Sequence, residues 1–155
     1  MFIRETEKSN PERVCICVDV DSFFVQCDSR KLGLDNSVPL VHVQWGLCVS
    51  VNYAARPEGI PNGAFLSDAL KIYPEVFVSH ADTFKSGDEI SDPYALDLGE
   101  KLKWHEKKTE EVSLERSRME ADKVFSILED YCGIVEKASF GCSFGSKKNL
   151  SAWRM

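Results

Sequence analysis

The sequence has no run of apolar residues approaching the ~20 that a bilayer-spanning helix needs. Its first residues, Met1-Phe-Ile-Arg-Glu-Thr-Glu-Lys8, lack the apolar core of a secretory signal. No membrane association is expected, and a cytoplasmic or nuclear location follows as the default. Six cysteines stand at 15, 17, 27, 48, 132 and 142, with no Cys-x-x-Cys among them. The three histidines, at 42, 80 and 105, do not cluster with the cysteines, which argues against a zinc site. Cys15 and Cys17 alternate along an apolar stretch and are expected to be buried free thiols. Basic residues are also scarce: 19 Lys and Arg stand against 25 Asp and Glu, a formal charge of −6. That balance argues against an autonomous nucleic-acid binder, unless the basic surfaces lie on other domains. No internal repeat is visible. What remains is a chain of 155 residues, 43% hydrophobic and 28% charged, long enough for one real core or for parts of two small domains.

The most informative stretch is Val14-Cys-Ile-Cys-Val-Asp-Val-Asp-Ser-Phe-Phe24. It reads as an apolar strand ending in two aspartates, with paired phenylalanines opening a helix. Side chains alternate along a strand, so Asp19 and Asp21 are expected on one face at its carboxyl end. Two hard oxygen donors there can form half of a magnesium site, and magnesium could stabilise a phosphate undergoing transfer. A strand-borne Asp-x-Asp also suits the haloacid-dehalogenase-like phosphatases, in which the first aspartate is a nucleophile and the second an acid/base. That family wants Thr or Val where this chain has Phe23.

The rest of the chain reads as an α/β protein. Residues 1–12 are polar and expected to form a flexible arm. A strand is predicted over 14–20, then a helix capped by Ser22. Residues 39–44 and 48–52 flank Trp45-Gly46 as a β-hairpin. Residues 53–56 suggest a helical turn, 65–73 a helix stopped by Pro74, and 76–80 a strand. Residues 82–111 are rich in Asp, Glu, Lys and Ser and read as a solvated insertion, with a short helix around 95–104. A clearer helix is predicted over 112–131, with Val124, Phe125, Leu128 and Tyr131 on one face. A strand is predicted over 134–138. Residues 140–155 show no sustained period and read as a tail on an incomplete domain.

Several ordered segments resemble one family. Val18-Asp-Val-Asp-Ser-Phe-Phe-Val-Gln26 is similar to the first motif of the Y-family (translesion) DNA polymerases. Val41-His-Val-Gln44, then Val49-Ser-Val-Asn-Tyr-Ala-Ala-Arg-Pro-Glu-Gly-Ile60, resemble its fingers motif, and look most like the eta branch. His80-Ala-Asp-Thr-Phe-Lys-Ser-Gly-Asp88, the polar insertion and Val112-Ser-Leu-Glu115 look like the fungal form of that branch. Val135-Glu-Lys-Ala-Ser139 resembles the lead-in to the third motif. The resemblance covers about residues 13–139. It implies a partial ferredoxin-like palm with an inserted fingers subdomain: palm over 13–22 and 76–139, fingers over 23–75, and 140–155 unmatched.

The resemblance also implies a function and a site. The family copies DNA past damaged bases by nucleotidyl transfer from a deoxynucleoside triphosphate to a primer 3′-hydroxyl, with two magnesium ions. Its partners are primer-template DNA and, for the full-length enzyme, a sliding clamp whose docking motif this sequence lacks. Its location is the nucleus. Asp19 and the backbone carbonyl of Val20 would hold metal, with Asp21 as a further candidate ligand. Phe24 would be the steric gate that excludes ribonucleotides. Tyr53 and Arg56 would bind the incoming triphosphate, and Gln44 would touch the templating base.

Two departures stand out. Pro61-Asn62 replaces a basic residue usual in the eta branch. The third motif of the family continues Ser-Ile-Asp-Glu, whereas this chain runs Ser139-Phe140-Gly141-Cys142 and lacks both acids. Two nearby divalent cations repel unless several carboxylates neutralise them. The expectation is therefore a truncated chain, inactive alone as a polymerase. The alternative is a non-catalytic fragment that binds nucleotide or interferes with the complete enzyme.

Overall fold

The computed structural model describes residues 13–85, 95–96 and 110–148. The arm expected over 1–12 lies outside the described residues, as does most of the insertion expected over 82–111. The elements in chain order are β1 (Arg13–Asp19), α1 (Phe23–Leu32), β2 (Leu40–Gln44), β3 (Leu47–Val51), α2 (Leu66–Ile72) and β4 (Phe77–His80). There follow β5 (Thr83–Lys85), β6 (Ala95–Leu96), β7 (Glu110–Val112), α3 (Glu115–Tyr131), β8 (Ile134–Lys137) and β9 (Cys142–Lys148). The class is mixed α/β, as expected. The chain divides into two compact units, Met1–Asp21 with Met119–Met155, and Ser22–Arg118.

The first unit is built on an antiparallel sheet in the order β1-β9-β8. Cys142–Lys148 is therefore its central strand and not a tail. Pairing runs from Arg13 opposite Lys148 to Asp19 opposite Cys142, and from Ile134 opposite Ser146 to Lys137 opposite Ser143. The sequence concealed this strand because its alternation is carried by small residues. Ser143 and Gly145 face the buried side while Phe144 is exposed, so no apolar period marks it. The sides of β1 are likewise unequal. Val14, Ile16 and Val18 are half-buried, and Cys15 and Cys17 are exposed, contrary to the expectation of buried thiols. The branched apolar residues occupy the covered side and leave the thiols on the open one.

Close approach sets the identity of Gly145. A Cβ there would meet the Cys132 Sγ at 2.5 Å and the Ile16 Cγ1 at 3.2 Å. Ala121 and Phe125 of α3 are buried, and Lys137 of β8 pairs with Asp122 and lies 4.3 Å above the Phe125 ring. Gly145→Ala should cost about 1–3 kcal/mol by overpacking. Chemical denaturation checks this: a lower midpoint at unchanged slope is expected, and Cys132→Ala in the same chain should recover part of the loss.

The second unit contains a four-stranded sheet in the order β3-β2-β4-β6 and a two-stranded β5-β7 pair. The β2-β3 hairpin turns through Trp45 (φ 51°) and Gly46 (φ 83°). Positive φ at both central residues matches the right-handed twist of the strands, and this turn was legible as Trp-Gly. β4 runs parallel to β2, with Leu40 opposite Phe77 and Val43 opposite His80. Strand 76–80, expected in the palm with strands 14–20 and 134–138, thus pairs in the hairpin's sheet. A central strand covered on both faces loses alternation, and β2 is buried continuously from Leu40 to Val43. Val41, Val43, Val51, Ile60, Leu66 and Val78 meet in the core. Residues 95–96, expected in a short helix, instead extend the sheet by pairing with β4. The helix expected from 112 starts at Glu115, because Val112 is paired with Thr83 in β5-β7.

Candidate functional site

Asp19 is the last residue of β1 and is exposed. Strand pairing is prolonged by one backbone bond, from the Val20 N–H to the Gly141 carbonyl at 2.8 Å. Asp21 lies beyond the strand, in a turn, so β1 does not hold both carboxylates on one face as expected. The strand stops because the chain must turn into α1: Ser22 has φ 49° and ψ 43°, a left-handed conformation. Directly across from Asp19 stands Cys142. The Cys142 Sγ is 3.8 Å from that of Cys17, its diagonal neighbour on the same face. The Cys142 thiol is pushed above its usual value, first by its hydrogen bond with Cys17, then by burial and the nearby charges of Cys17 and Asp19.

This donor set does not suit a magnesium pair. Magnesium demands near-octahedral oxygen coordination, whereas sulfur is a soft donor. The positions beside Asp19 supply Gly141, which has no side chain, and Cys142, which brings sulfur. Among the described residues, no group of three or more His, Cys, Asp or Glu is placed to hold a metal ion.

The second unit gathers Tyr53, Arg56, Ser22 and Val51. Arg56 donates from Nε to the Val51 carbonyl at 3.2 Å and from Nη2 to the Ser22 Oγ at 2.9 Å. Ser22 donates its hydroxyl to the same Val51 carbonyl at 2.9 Å. The expected cap of α1 is therefore absent: the Ser22 hydroxyl is engaged with Val51 and Arg56, not with the helix N–H groups. The Arg56 Cζ lies 4.3 Å from the Tyr53 ring centroid, a cation–π contact, and both residues are exposed.

Asn52 fixes the turn that carries these residues. Its buried Oδ1 accepts from Leu40 N–H at 3.0 Å and Ala55 N–H at 2.9 Å, and its Nδ2 donates to the Val38 carbonyl at 2.7 Å. Residues 53–56 form the single helical turn expected there, not continued into a helix: the Ala55 and Arg56 N–H groups both bond to the Asn52 carbonyl, the second across four residues.

Phe24 is half-buried on α1. Its ring stacks on His42 at 5.2 Å between centroids and meets Phe23 edge-on at 5.7 Å. His42 is buried in β2, and its Nδ1 lies 2.6 Å from the Oδ2 of buried Asp28. A cavity of about 20 Å³ beside this pair is closed by Asp82 and Arg116, 3.0 Å apart. Gln44 ends β2 opposite Leu47 and is half-buried. Next to it, His80 takes a definite tautomer. Its Nδ1 lies 2.7 Å from the Ala81 carbonyl, which can only accept, so Nδ1 carries the proton and Nε2 accepts from Trp45 N–H at 3.3 Å.

The sequence singles out Asp19, Phe24, Tyr53 and Arg56 as candidates but does not show the residues that contact them. Ser22 was read only as a cap. Asn52 left a weak signal, a buried-type amide at a strand end before Tyr-Ala-Ala-Arg. Asp28 and His42, 14 residues apart, left none in the periodicity.

Comparison with known proteins identifies the family. The model of the impB/mucB/samB family matches residues 18–147. The match passes beyond Ser139 and takes in most of β9, so residues 140–147 of the segment read as unmatched lie within the family match. The chain is 33% identical to "N-acetyltransferase eso1" of Schizosaccharomyces pombe over 135 residues, 85% of this chain and 14% of that protein. It is 33% identical to "DNA polymerase eta" of Saccharomyces cerevisiae over 129 residues, 81% of this chain and 20% of that protein. It thus spans a fifth or less of the curated relatives it matches. The crystal structure of DinB from Sulfolobus solfataricus shares the fold, with a TM-score of 0.60 and 18% identity over 84% of this chain and 30% of that one.

Proposed function

Because the chain belongs to the impB/mucB/samB family, the Y-family polymerase family that its motifs resemble, we propose that it supplies palm strands and fingers of an eta-like translesion polymerase. Met1–Asp21 with Met119–Met155 is the palm part, and Ser22–Arg118 holds the fingers. The reaction of the whole enzyme is nucleotidyl transfer from a deoxynucleoside triphosphate to a primer on template DNA, in the nucleus. With the family shown, the Asp-x-Asp segment belongs to the polymerase motif, which sets the phosphatase alternative aside.

The observation that carries the proposal is the Tyr53–Arg56 turn. A guanidinium offers five donors in a rigid fork and keeps its charge at any ordinary pH. Nε and Nη2 bind Val51 and Ser22, which orients the fork without using all its donors. Such a preset cation suits a triphosphate, while Phe24, braced by His42, is the ring that discriminates the sugar. In a complete enzyme Asp19 and the Val20 carbonyl would be the palm's share of the metal ligands, with Asp21 a further oxygen donor from the turn, the rest coming from outside this donor set. Gln44 is the contact to the templating base.

The chain alone binds nucleotide without extending DNA. A pair of divalent ions needs more opposing carboxylate than Asp19 and Asp21 provide, and Cys142 stands where a second strand-borne acid would help. Primer extension with magnesium and all four deoxynucleoside triphosphates tests this. No product above background is expected from the unaltered chain. Extension that disappears on Asp19→Ala would overturn the inactive reading.

A further inference from the structure

We propose that Cys17 and Cys142 form a redox-reactive dithiol, a site of reversible oxidation on the open face of the sheet that carries Asp19. Several independent features point there. The two sulfurs are 3.8 Å apart, although 125 residues separate them in the chain. They are diagonal neighbours on adjacent strands, since Cys17 stands opposite Phe144 and Cys142 opposite Asp19. Cys17 is exposed and Cys142 half-exposed, so a small oxidant reaches them. The remaining cysteines are placed differently. Cys48 lies fully buried in the core of the other unit, out of an oxidant's reach. Cys132 is buried, half-buried Cys27 lies on α1 in the other unit, and exposed Cys15 stands opposite Ser146, not opposite a thiol.

The oxidant is a peroxide. One thiol sulfur attacks a peroxide oxygen, the O–O bond breaks, and a sulfenic acid and one water form. The second thiol sulfur then attacks the sulfenic sulfur, the S–O bond breaks, and a second water leaves. The sulfurs together give up two electrons to the peroxide, and both thiol protons end in water. A disulfide needs about 2.05 Å between sulfurs, so the pair must close by about 1.8 Å. Diagonal neighbours stand about 7–8 Å apart at Cα, the outer limit for a disulfide, so closure takes χ1 rotation together with movement of the strand ends toward each other. The product ties the Asp19 end of β1 to β9. A reducing thiol reverses it by exchange.

The chemistry requires only the β1-β9 register, so its test stands apart from triphosphate binding. The full chain is reduced, diluted, treated with hydrogen peroxide, alkylated and digested with trypsin. Mass spectrometry should show the peptides Val14–Arg30 and Ala138–Lys147 joined, with fragment ions placing the bond at Cys17. This linkage should exceed any other cystine by roughly tenfold and vanish on treatment with dithiothreitol. Cys15→Ser should leave it in place. Cys142→Ser should abolish it and leave Cys17 trapped by dimedone as a sulfenic acid. The proposal is overturned if Cys142 stays alkylatable while Cys15 or Cys17 oxidises. It is also overturned if the bond maps to Cys15 or Cys27 within Val14–Arg30, or if linkages form only between chains. The unaltered chain decides the matter even if a variant fails to fold.

Discussion

Gly141→Asp combined with Cys142→Glu should create a divalent-cation site at Asp19, raising affinity for manganese at least about tenfold over the unaltered chain. The register is the reason. Position 142 is directly opposite Asp19, so its Cβ lies about 4.5–5.5 Å from that of Asp19. Position 141 carries the carbonyl that receives the Val20 N–H, at the same end of the sheet. Gly141 is not among the glycines with positive φ, so a side chain there adds no left-handed backbone strain. Without metal, added carboxylates facing Asp19 repel it and should lower stability by about 0.2–1 kcal/mol. With metal, the repulsion becomes binding energy. Loss of the free-manganese signal in electron paramagnetic resonance measures the affinity, and melting with and without manganese measures the coupling. A double variant that keeps its circular dichroism but gains neither affinity nor metal-dependent stability would show that Asp19 is not aimed at a cation.

The parts of the molecule that could be read in advance are those whose period is local. Val14, Ile16 and Val18 alternate, the Trp45-Gly46 turn has its own backbone signature, and α2 stops before Pro74. Those features depend on neighbours in sequence. β9 was hidden because it packs through absence: Gly145 makes room for Cys132, and Ser143 takes a buried position with a small side chain. The partnership of β4 with β2 was hidden because parallel pairing depends on a crossover that apolar pattern does not encode. Strand β1 looked as though it would bury Cys15 and Cys17, since thiols and valines read alike in a hydrophobic run. Only the side covered in the fold distinguishes them.

The candidate site divides in the same way. Asp19, Phe24, Tyr53 and Arg56 stood out because their motifs are contiguous. Their supports are spread across distant segments: Ser22 and Arg56 are 34 residues apart, and Asn52 reaches Leu40 across 12. The absence of acids at 141 and 142 was visible at once. What took their place physically, a thiol facing a carboxylate with a second thiol in contact, needed the strand register.

The second large effect concerns Arg56. Its guanidinium is placed by three contacts, to Val51, Ser22 and the Tyr53 ring, and none of them neutralises its charge. A triphosphate would meet a charged, oriented fork. Charge-assisted hydrogen bonds of this kind contribute about 1.5–3 kcal/mol each. Arg56→Ala should therefore weaken triphosphate binding by roughly 10-fold to 100-fold. Arg56→Lys should restore only part of it, because an ammonium keeps the charge but loses the planar fork. The turn itself should survive both changes, since Asn52 and not Arg56 holds its backbone.

Isothermal titration of the full chain with a deoxynucleoside triphosphate is the decisive measurement. Saturable one-site binding is predicted for the unaltered chain, with the stated loss in a folded Arg56→Ala variant. A well-folded chain that takes up no triphosphate, or that binds it equally well without the Arg56 guanidinium, would contradict the nucleotide-binding role given to this turn.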